Sequence, residues 1–210
     1  MAKALATESG LNFLTVRGPE LLSKWLGDSE KAVQKLFQRA RACAPSLIFF
    51  DEIDAFACKR GESSSGVNDR VLSQLLTEID GIQGLKRVVI VAATNRPDIL
   101  DAALLRPGRI DRKIFVPPPD RESRHQILSN SLMKIPCAGD VNIDELVDKS
   151  EGFSGAEVVA VCTEAVMHAV AAQMLQVERQ HLLKSVEEIT PQITMAMLDY
   201  YKGIAAKFLT

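Results

Sequence analysis

Two adjacent carboxylates, Asp51 and Glu52, directly follow an uninterrupted apolar run at residues 47–50. Such a run is typical of a strand buried in a sheet, and acids at the edge of a core cost desolvation free energy unless something positive meets them. Asn95 comes just after a second apolar run, at residues 88–93. Because parallel strands end at one edge of the sheet, where ligands bind, we expect these polar side chains to lie together.

This combination of residue types suits nucleotide hydrolysis. An aspartate that holds Mg²⁺ through water, beside a glutamate that orients an attacking water, is the arrangement that the reaction requires. The alternative is that Asp51 and Glu52 only begin the next loop or helix as a cap. The apolar run before them and Asn95 after a second strand favour the hydrolytic interpretation.

A second candidate group is a pair of arginines, Arg106 and Arg109, that flank Pro107 and Gly108. The Pro-Gly turn indicates a constrained loop rather than a helix face. Guanidinium groups stay charged and bond phosphate oxygens bidentately, so such a loop suits phosphate. At a subunit edge they would act in trans as arginine fingers, which stabilise charge on a transferring phosphoryl group. A solvated basic turn is the alternative.

The composition of the 210-residue chain is that of an ordinary globular protein, with 47% hydrophobic and 25% charged residues. The net charge of −2 implies no bulk attraction to nucleic acid or to a membrane surface. None of the four cysteines forms a C-x-x-C pair, which favours a reducing compartment. We therefore expect a cytoplasmic protein, with the nucleus and the mitochondrion as alternatives. We expect no secretory signal, and no membrane span, since no apolar stretch approaches roughly 20 residues.

Strand-length apolar runs alternate with helical patterns over the first half of the chain. The predicted strands cover residues 11–16, 47–50, 88–93 and 113–116. Apolar residues at helical spacing predict helices over residues 33–44 and 71–79. Alternation of this kind predicts a doubly wound parallel α/β sheet.

The pattern changes after the three consecutive prolines at residues 117–119, beyond which only helical periodicity is found. Ser154 and Glu157 have the spacing of a capping box, which predicts that a helix begins there. We therefore expect an α/β domain over residues 1–119 and a small all-helical domain over residues 120–210.

Several longer stretches carry a family resemblance. SLIFFDEIDA, VAATNRPDILDAALLRPGRIDR and GFSGAEV, together with LNFLTVRGPELLSKWLGDSEKAV, closely resemble the AAA ATPases. Within that family the chain is most similar to the valosin-containing-protein-like group and to the second ATPase module of its spermatogenesis-associated members. The resemblance covers residues 2–170 strongly and the remainder more weakly. It implies a P-loop NTPase-type α/β domain followed by a helical lid, with ATP and Mg²⁺ as ligands and ATP hydrolysis as the activity.

The resemblance also implies a role for each residue that matches a family motif. Asp51 matches the acid that coordinates Mg²⁺, through water, and Glu52 matches the residue that polarises the hydrolytic water. Asn95 matches the sensor of the γ-phosphate. Arg106 and Arg109 match the arginine fingers that serve the nucleotide of a neighbouring subunit.

Further positions match the parts of the family that contact nucleotide and substrate. Gly155 and Ala156 lie where such proteins pack the lid against the nucleotide. Trp25 and Leu26 match the pore loop that grips a polypeptide substrate, although a packing role is the alternative for a lone tryptophan beside a glycine. Residues 61–69 match the second pore loop. The resemblance implies a homo- or hetero-hexameric ring that threads polypeptide, with ribosome biogenesis as its setting. A nucleic-acid remodeller is a weaker alternative, and we expect no direct DNA binding, because the chain is near neutral and has no basic stripe.

One family element is absent from this sequence, in which no G-x-x-x-x-G-K-[ST] occurs. In the family, the phosphate loop and its strand precede the helix that residues 1–9 resemble, and that strand lies between those predicted at 88–93 and 113–116. We therefore expect a sheet without its central strand and a sequence that is a fragment, a truncated isoform or an incomplete gene model. Two functions stay open: the ATP-hydrolysing module of a hexameric unfoldase or remodeller, and a non-catalytic partner that holds no nucleotide.

Overall fold

The computed structural model describes residues 2–23, 29–59, 66–81 and 87–209. The chain divides into two compact units, Met1–Lys113 and Ile114–Thr210. The boundary predicted after residue 119 falls in the segment 111–120, which contains neither helix nor strand. Across the described ranges, no helix combines the length and the apolar character that crossing a bilayer requires.

The first unit alternates strands with helices along the chain. Its strands are β1 (Asn12–Arg17), β2 (Ser46–Asp51) and β3 (Val88–Ala92). Its helices are α1 (Ala2–Ser9), α2 (Gly18–Ser23), α3 (Ser29–Ala42) and α4 (Gly66–Asp80). The strands form one parallel sheet in the order β1-β2-β3. The strands predicted at residues 11–16, 47–50 and 88–93 are each confirmed to within one residue.

The core of the first unit lies on one face of this sheet. Alternate residues of a strand face the same side, so Ile48 and Phe50 of β2 point into this core together with Val88 of β3. Phe37 of α3 and Leu72 of α4 are fully buried against them. The helical spacing of apolar residues in α3 and α4 therefore serves to cover the sheet and hold the ends of its strands in place.

The fourth predicted strand, at residues 113–116, is wrong. The segment belongs to no strand, and its apolar side chains are exposed: 85% of the surface of Ile114, 39% of Phe115 and 54% of Val116. A strand forms only where a neighbouring backbone supplies hydrogen-bond partners. None of the described residues pairs with this segment. Its sequence has the propensity of a strand, but the sheet described here offers it no partner.

The second unit is helical wherever the structure describes it as regular. Its helices are α5 (Arg121–Leu132), α6 (Ile143–Lys149), α7 (Gly155–Ala171), α8 (Arg179–Glu188) and α9 (Met195–Leu209). The predicted change to an all-helical pattern is confirmed, and the unit has a core of its own built around Leu128, Val158 and Leu182. The final residues form α9, although their sequence carries no motif.

Candidate functional site

The strand β2 ends at Asp51 and so brings the acid pair to the carboxyl edge of the sheet. The parallel register places Phe50 opposite Ala92 of β3, and the segments that follow both strands emerge at the same edge. Asp51 is half-buried and Glu52 is exposed. Neither carboxylate forms a hydrogen bond or an ion pair with the described residues. The acids therefore keep their oxygens available for a ligand.

The backbone turns sharply at Glu52. This residue has φ 52° and ψ 49°, in the left-handed region, which costs a non-glycine residue about 1–3 kcal/mol. Its carbonyl accepts a hydrogen bond from the N–H of Ala55 at 3.0 Å, and Ile53–Ala55 form one 3₁₀ turn. The turn takes the chain away from the strand direction immediately after Asp51, and Glu52 becomes the exposed corner.

The segments that carry the acid pair and Asn95 are joined by hydrogen bonds. The N–H of Ile53 donates to the carbonyl of Ala93 at 3.2 Å. The hydroxyl of Thr94 donates to Oδ1 of Asp54 at 2.6 Å. Asn95 follows Thr94 directly and is exposed. Sequence reasoning gave Thr94 and Asp54 no role, although polar residues just after two adjacent parallel strands are a signal that could have identified them.

The two arginines lie in a tight turn. The N–H of Arg109 donates to the carbonyl of Arg106 at 3.1 Å. Gly108, between them, has φ 88°, a conformation that glycine adopts without steric cost. Arg106 is exposed and forms no hydrogen bond or ion pair with the part of the chain that the structure describes. Within the described part of the chain, no acceptor therefore occupies its guanidinium.

Arg109 has very different surroundings, with only 16% of its side chain exposed. Its Nε donates to Oδ1 of Asp80 at 3.0 Å, its Nη2 donates to the other oxygen of the same carboxylate, and its Nη1 donates to the carbonyl of Ala103 at 2.5 Å. The hydrogen bond from Arg109 lowers the pKa of Asp80 and raises the pKa of Arg109 itself. The guanidinium thus has a bidentate partner within its own chain.

The topology separates Arg109 from the acid pair of the same chain. The helix α4 returns the chain from the carboxyl edge of β2 to the amino end of β3, as a crossover between parallel strands must. Asp80 is the last residue of α4. Arg109, bound to Asp80, therefore lies toward the amino-terminal edge of the sheet, whereas Asp51 and Glu52 lie at the carboxyl edge.

The remaining predicted site residues lie elsewhere. Gly155 and Ala156 are the first residues of α7, in the second unit. Trp25 and Leu26 lie outside the described residues, as does most of the predicted second pore loop at 61–69. Their roles stay predictions.

The donor chemistry at the carboxyl edge fits Mg²⁺. No cluster of three or more His, Cys, Asp or Glu able to hold a metal ion is found among the described residues. Mg²⁺ does not need such a cage, because it usually keeps several waters and binds through one or two carboxylates and the phosphates of a substrate. The carboxylate of Asp51, which has no partner among the described residues, is a hard oxygen donor of the required kind. It suits the role of a single protein ligand, shared with a nucleotide.

Comparison with known proteins gives the family. Residues 1–118 match the model of the ATPase family associated with various cellular activities (AAA), and residues 140–184 match that of the AAA+ lid domain. The chain is 47% identical to the Cell division cycle protein 48 homolog of Archaeoglobus fulgidus, over 99% of this chain and 31% of that protein. It is 49% identical to ATPase family gene 2 protein homolog A of Homo sapiens, over 99% of this chain and 24% of that protein.

A third relative, the ATPase family gene 2 protein of Saccharomyces cerevisiae, is 51% identical over 98% of this chain and 27% of its own length. The chain thus spans between 24% and 31% of the length of these relatives. The resemblance stated from the sequence is confirmed by the family model for more than half of the chain and by a second model for the lid. The chain belongs to the AAA family of ATPases, within its valosin-containing-protein-like group, and matches the ATPase family model over residues 1–118 and the lid model over residues 140–184.

Proposed function

We propose that this chain is the ATP-hydrolysing module of a hexameric AAA protein unfoldase or remodeller. The observation that carries the proposal is the acid pair, Asp51 and Glu52, at the carboxyl edge of a parallel sheet without any partner in the described chain. Ligands of open α/β sheets bind at that edge. The hydrogen-bonded connection to the segment of Asn95 adds a third polar side chain beside the same strand ends.

Each residue has a distinct part in the proposed reaction. Asp51 would hold Mg²⁺ through water, and Glu52 would orient the attacking water and accept its proton. Asn95 donates a hydrogen bond to the γ-phosphate from the neighbouring segment. Mg²⁺ bound with the triphosphate would neutralise the charge that develops on the transferring phosphoryl group. Because Glu52 is exposed at a rigid corner, its carboxylate can reach a water at the edge of the sheet without repacking the core.

The two arginines act in trans in this proposal. Arg106 has no partner among the described residues, and Arg109 lies toward the sheet edge opposite to the acid pair, which supports contact with the nucleotide of a neighbouring subunit rather than with one bound by the same chain. In a ring, each subunit would present the turn of Arg106 and Arg109 to its neighbour. Both arginines could then contact a phosphate bound by that neighbour. Removal of an arginine finger costs on the order of 10³–10⁵ in rate at other phosphoryl-transfer sites.

The remaining parts of the proposal rest on the family resemblance. Trp25 and Leu26 would grip a polypeptide threaded through the ring, and Gly155 and Ala156 would contact the nucleotide from the lid. Ribosome biogenesis is the proposed setting, in the cytoplasm, with the nucleus and the mitochondrion as alternatives.

A second function is favoured by Arg106, which is exposed and has no partner among the described residues. No G-x-x-x-x-G-K-[ST] occurs in this sequence, and backbone N–H groups of that loop cradle the phosphates in P-loop proteins. The second candidate is a non-catalytic partner, which enters a ring and contributes Arg106 to the site of a neighbour but holds no nucleotide itself.

The experiment that tests the first function uses a phosphate-loop fusion, defined as residues 1–210 placed directly behind the phosphate loop of an active AAA ATPase. We expect the fusion to hydrolyse ATP only with Mg²⁺, and the 210-residue chain alone to bind ATP weakly. Tight, Mg²⁺-dependent ATP binding by the chain alone would show that nucleotide binding by residues 1–210 does not need the added loop. A folded fusion that binds ATP but does not turn it over would contradict the proposed activity.

The non-catalytic partner is tested by adding the 210-residue chain to an active ring of a relative. This function predicts a changed ATPase rate, since the added chain would present its arginine to an occupied site. Arg106→Ala should abolish the change. An effect that survives this substitution would rule out action through the subunit interface.

A further inference from the structure

The contact between the start of α2 and the corner at Glu52 follows from the register of the sheet. The strands β1 and β2 pair in parallel, with Arg17 opposite Asp51. The next residues along the two chains, Gly18 and Glu52, therefore come side by side just beyond the sheet. There the helix α2 begins directly at Gly18, while Glu52 leaves β2 in the left-handed conformation.

Only a glycine permits this approach. Gly18 is buried, and a Cβ built on it would lie 2.2 Å from the carbonyl oxygen of Glu52 and 2.8 Å from the Cβ of Ala55. Real Cβ atoms do not come within 3.0 Å of such neighbours. The nearest obstacle is backbone rather than the far end of a flexible side chain. A side chain at residue 18 must therefore displace the backbone of Glu52.

The other flank of the corner is fixed as well. The N–H of Ile53 donates to the carbonyl of Ala93, beyond the end of β3, at 3.2 Å. Glu52 thus lies between a hydrogen bond on the β3 side and the close packing of Gly18 on the β1 side. A left-handed non-glycine residue persists only where the surrounding structure over-determines it, and such residues cluster at functional sites.

We propose that Gly18 is a positioning residue for Glu52. The absence of a side chain at residue 18 lets α2 pack directly on the carbonyl of Glu52, and this contact holds the turn that presents the carboxylate at the sheet edge. Gly18 touches no reacting atom and acts only through the backbone of Glu52. The inference rests on the proposed function of Glu52 in polarising the hydrolytic water.

The first test uses thermal unfolding of the 210-residue chain. Gly18→Ala should lower Tm, whereas the matched control Gly139→Ala should not, because a Cβ at residue 139 meets nothing within 4 Å. Glu52→Gly lets the corner relax, so the loss caused by Gly18→Ala should be smaller in the double variant. Strictly additive losses would overturn the proposed contact.

If Gly18→Ala does not fold, hydrogen exchange in the unsubstituted chain tests whether the corner at Glu52 is held. The N–H of Ala55 donates to the carbonyl that Gly18 covers. If the corner is held as proposed, this amide should exchange with solvent deuterium at least tenfold more slowly than an unstructured peptide amide. Exchange at the unstructured rate would show that the corner is not held and would overturn the proposal.

The second test is kinetic and uses the phosphate-loop fusion. Gly18→Ala should lower the turnover number at least tenfold while the Kd of ATP stays within about twofold. In a Glu52→Gln background, Gly18→Ala should cause no further loss, because it acts through the same carboxylate. A purely structural role would weaken ATP binding as well, or would lower the residual rate in both backgrounds, and either result would overturn the inference.

The two proposals fail in different ways. If Glu52→Gln leaves turnover unchanged, the proposed function of Glu52 fails. If Glu52→Gln stops turnover but Gly18→Ala has no effect, only the positioning role of Gly18 fails.

Discussion

Arg106 and Arg109 both match arginine-finger positions of the family, yet the structure gives them different surroundings. Arg106 is exposed without a partner among the described residues, and Arg109 is bound to Asp80 and to the carbonyl of Ala103. A guanidinium that already bonds a carboxylate bidentately must break or share those bonds to reach a phosphate. Of the two, Arg106 is therefore the better candidate for the proposed contact with a neighbouring subunit.

The difference predicts unequal effects on stability. Arg109→Ala should lower the free energy of unfolding of the 210-residue chain by about 1 kcal/mol, since it removes a partly buried ion pair and a hydrogen bond to a carbonyl. Arg106→Ala should change it by no more than about 0.5 kcal/mol, as is usual for an exposed residue. Urea unfolding of both variants measures this. Equal losses would show that the surroundings of the two arginines do not differ as described.

The ion pair also predicts a pH dependence. The hydrogen bond from Arg109 lowers the pKa of Asp80 in the folded chain, so this carboxyl contributes stability above its unfolded pKa, near pH 4. That contribution is lost as the pH falls through the lower folded value. The Tm of the unsubstituted chain should therefore exceed that of Asp80→Asn at pH 7, and the difference should shrink as the pH falls below about 4. A difference that stays constant as the pH falls below about 4 would contradict the assignment.

At this scale the sequence identifies which residues could do chemistry but not the contacts they make. Asp51 and Glu52 could be identified because their position after a buried strand is a local feature. The pairing of Arg109 with Asp80 joins residues 29 positions apart. Nothing in the local sequence encodes that contact, because it depends on where α4 ends in space. The left-handed corner at Glu52 is equally invisible, since glutamate carries no signal for it.

Among the elements, the capping box shows how much local sequence can predict. The side chain of Ser154 accepts the N–H of Glu157 at 3.3 Å, and Oε2 of Glu157 accepts the N–H of Ser154 at 2.6 Å, so the predicted start of α7 is confirmed. Every partner lies within four residues, which is why spacing alone suffices. Oε1 of Glu157 also accepts the N–H of Gln192 at 2.8 Å, a distant contact that spacing could not reveal.

These contacts predict a graded loss of stability at the start of α7. Ser154→Ala should lower the free energy of unfolding by about 1 kcal/mol, the usual cost of an N-cap. Glu157→Ala should cost about 2 kcal/mol, because two backbone N–H groups lose their acceptor. Glu164→Ala, an exposed position on the same helix, is the matched control and should have little effect. Thermal or urea unfolding measures all three, and a Glu157→Ala loss no larger than the control would contradict the assigned bonds.

The segment at residues 113–116 shows where local sequence fails to predict secondary structure. Its apolar, β-branched composition favours a strand, and the prediction rested on that propensity alone. Strand formation needs a neighbour with free N–H and C=O groups, and the described sheet supplies none to this segment. Helices satisfy their backbone within one segment, so helical predictions such as those for α3 and α4 do not depend on a distant partner.

For the whole molecule, the alternation of strands and helices was sufficient to predict the fold class, because parallel strands need crossover helices. The change to helical periodicity after the prolines likewise predicted a small helical domain, and the lid that the resemblance implied is confirmed by the family model over residues 140–184. The sequence motifs predicted the family, and the comparisons confirm it. The number of subunits, the threaded substrate and the cellular setting are properties of an assembly, so they stay proposals here.

The proposed function assigns different roles to the two acids: Asp51 holds the metal, and Glu52 orients the attacking water. The most direct measurement determines ATP affinity and turnover in the phosphate-loop fusion for Asp51→Asn and Glu52→Gln. Glu52→Gln should leave the Kd of ATP within about threefold and lower turnover by about 10²–10⁴, the usual worth of a general base. Asp51→Asn should instead remove the dependence of ATP binding on Mg²⁺. If Glu52→Gln hydrolyses ATP at the unsubstituted rate, or if Asp51→Asn keeps the full effect of Mg²⁺, this assignment of roles is contradicted.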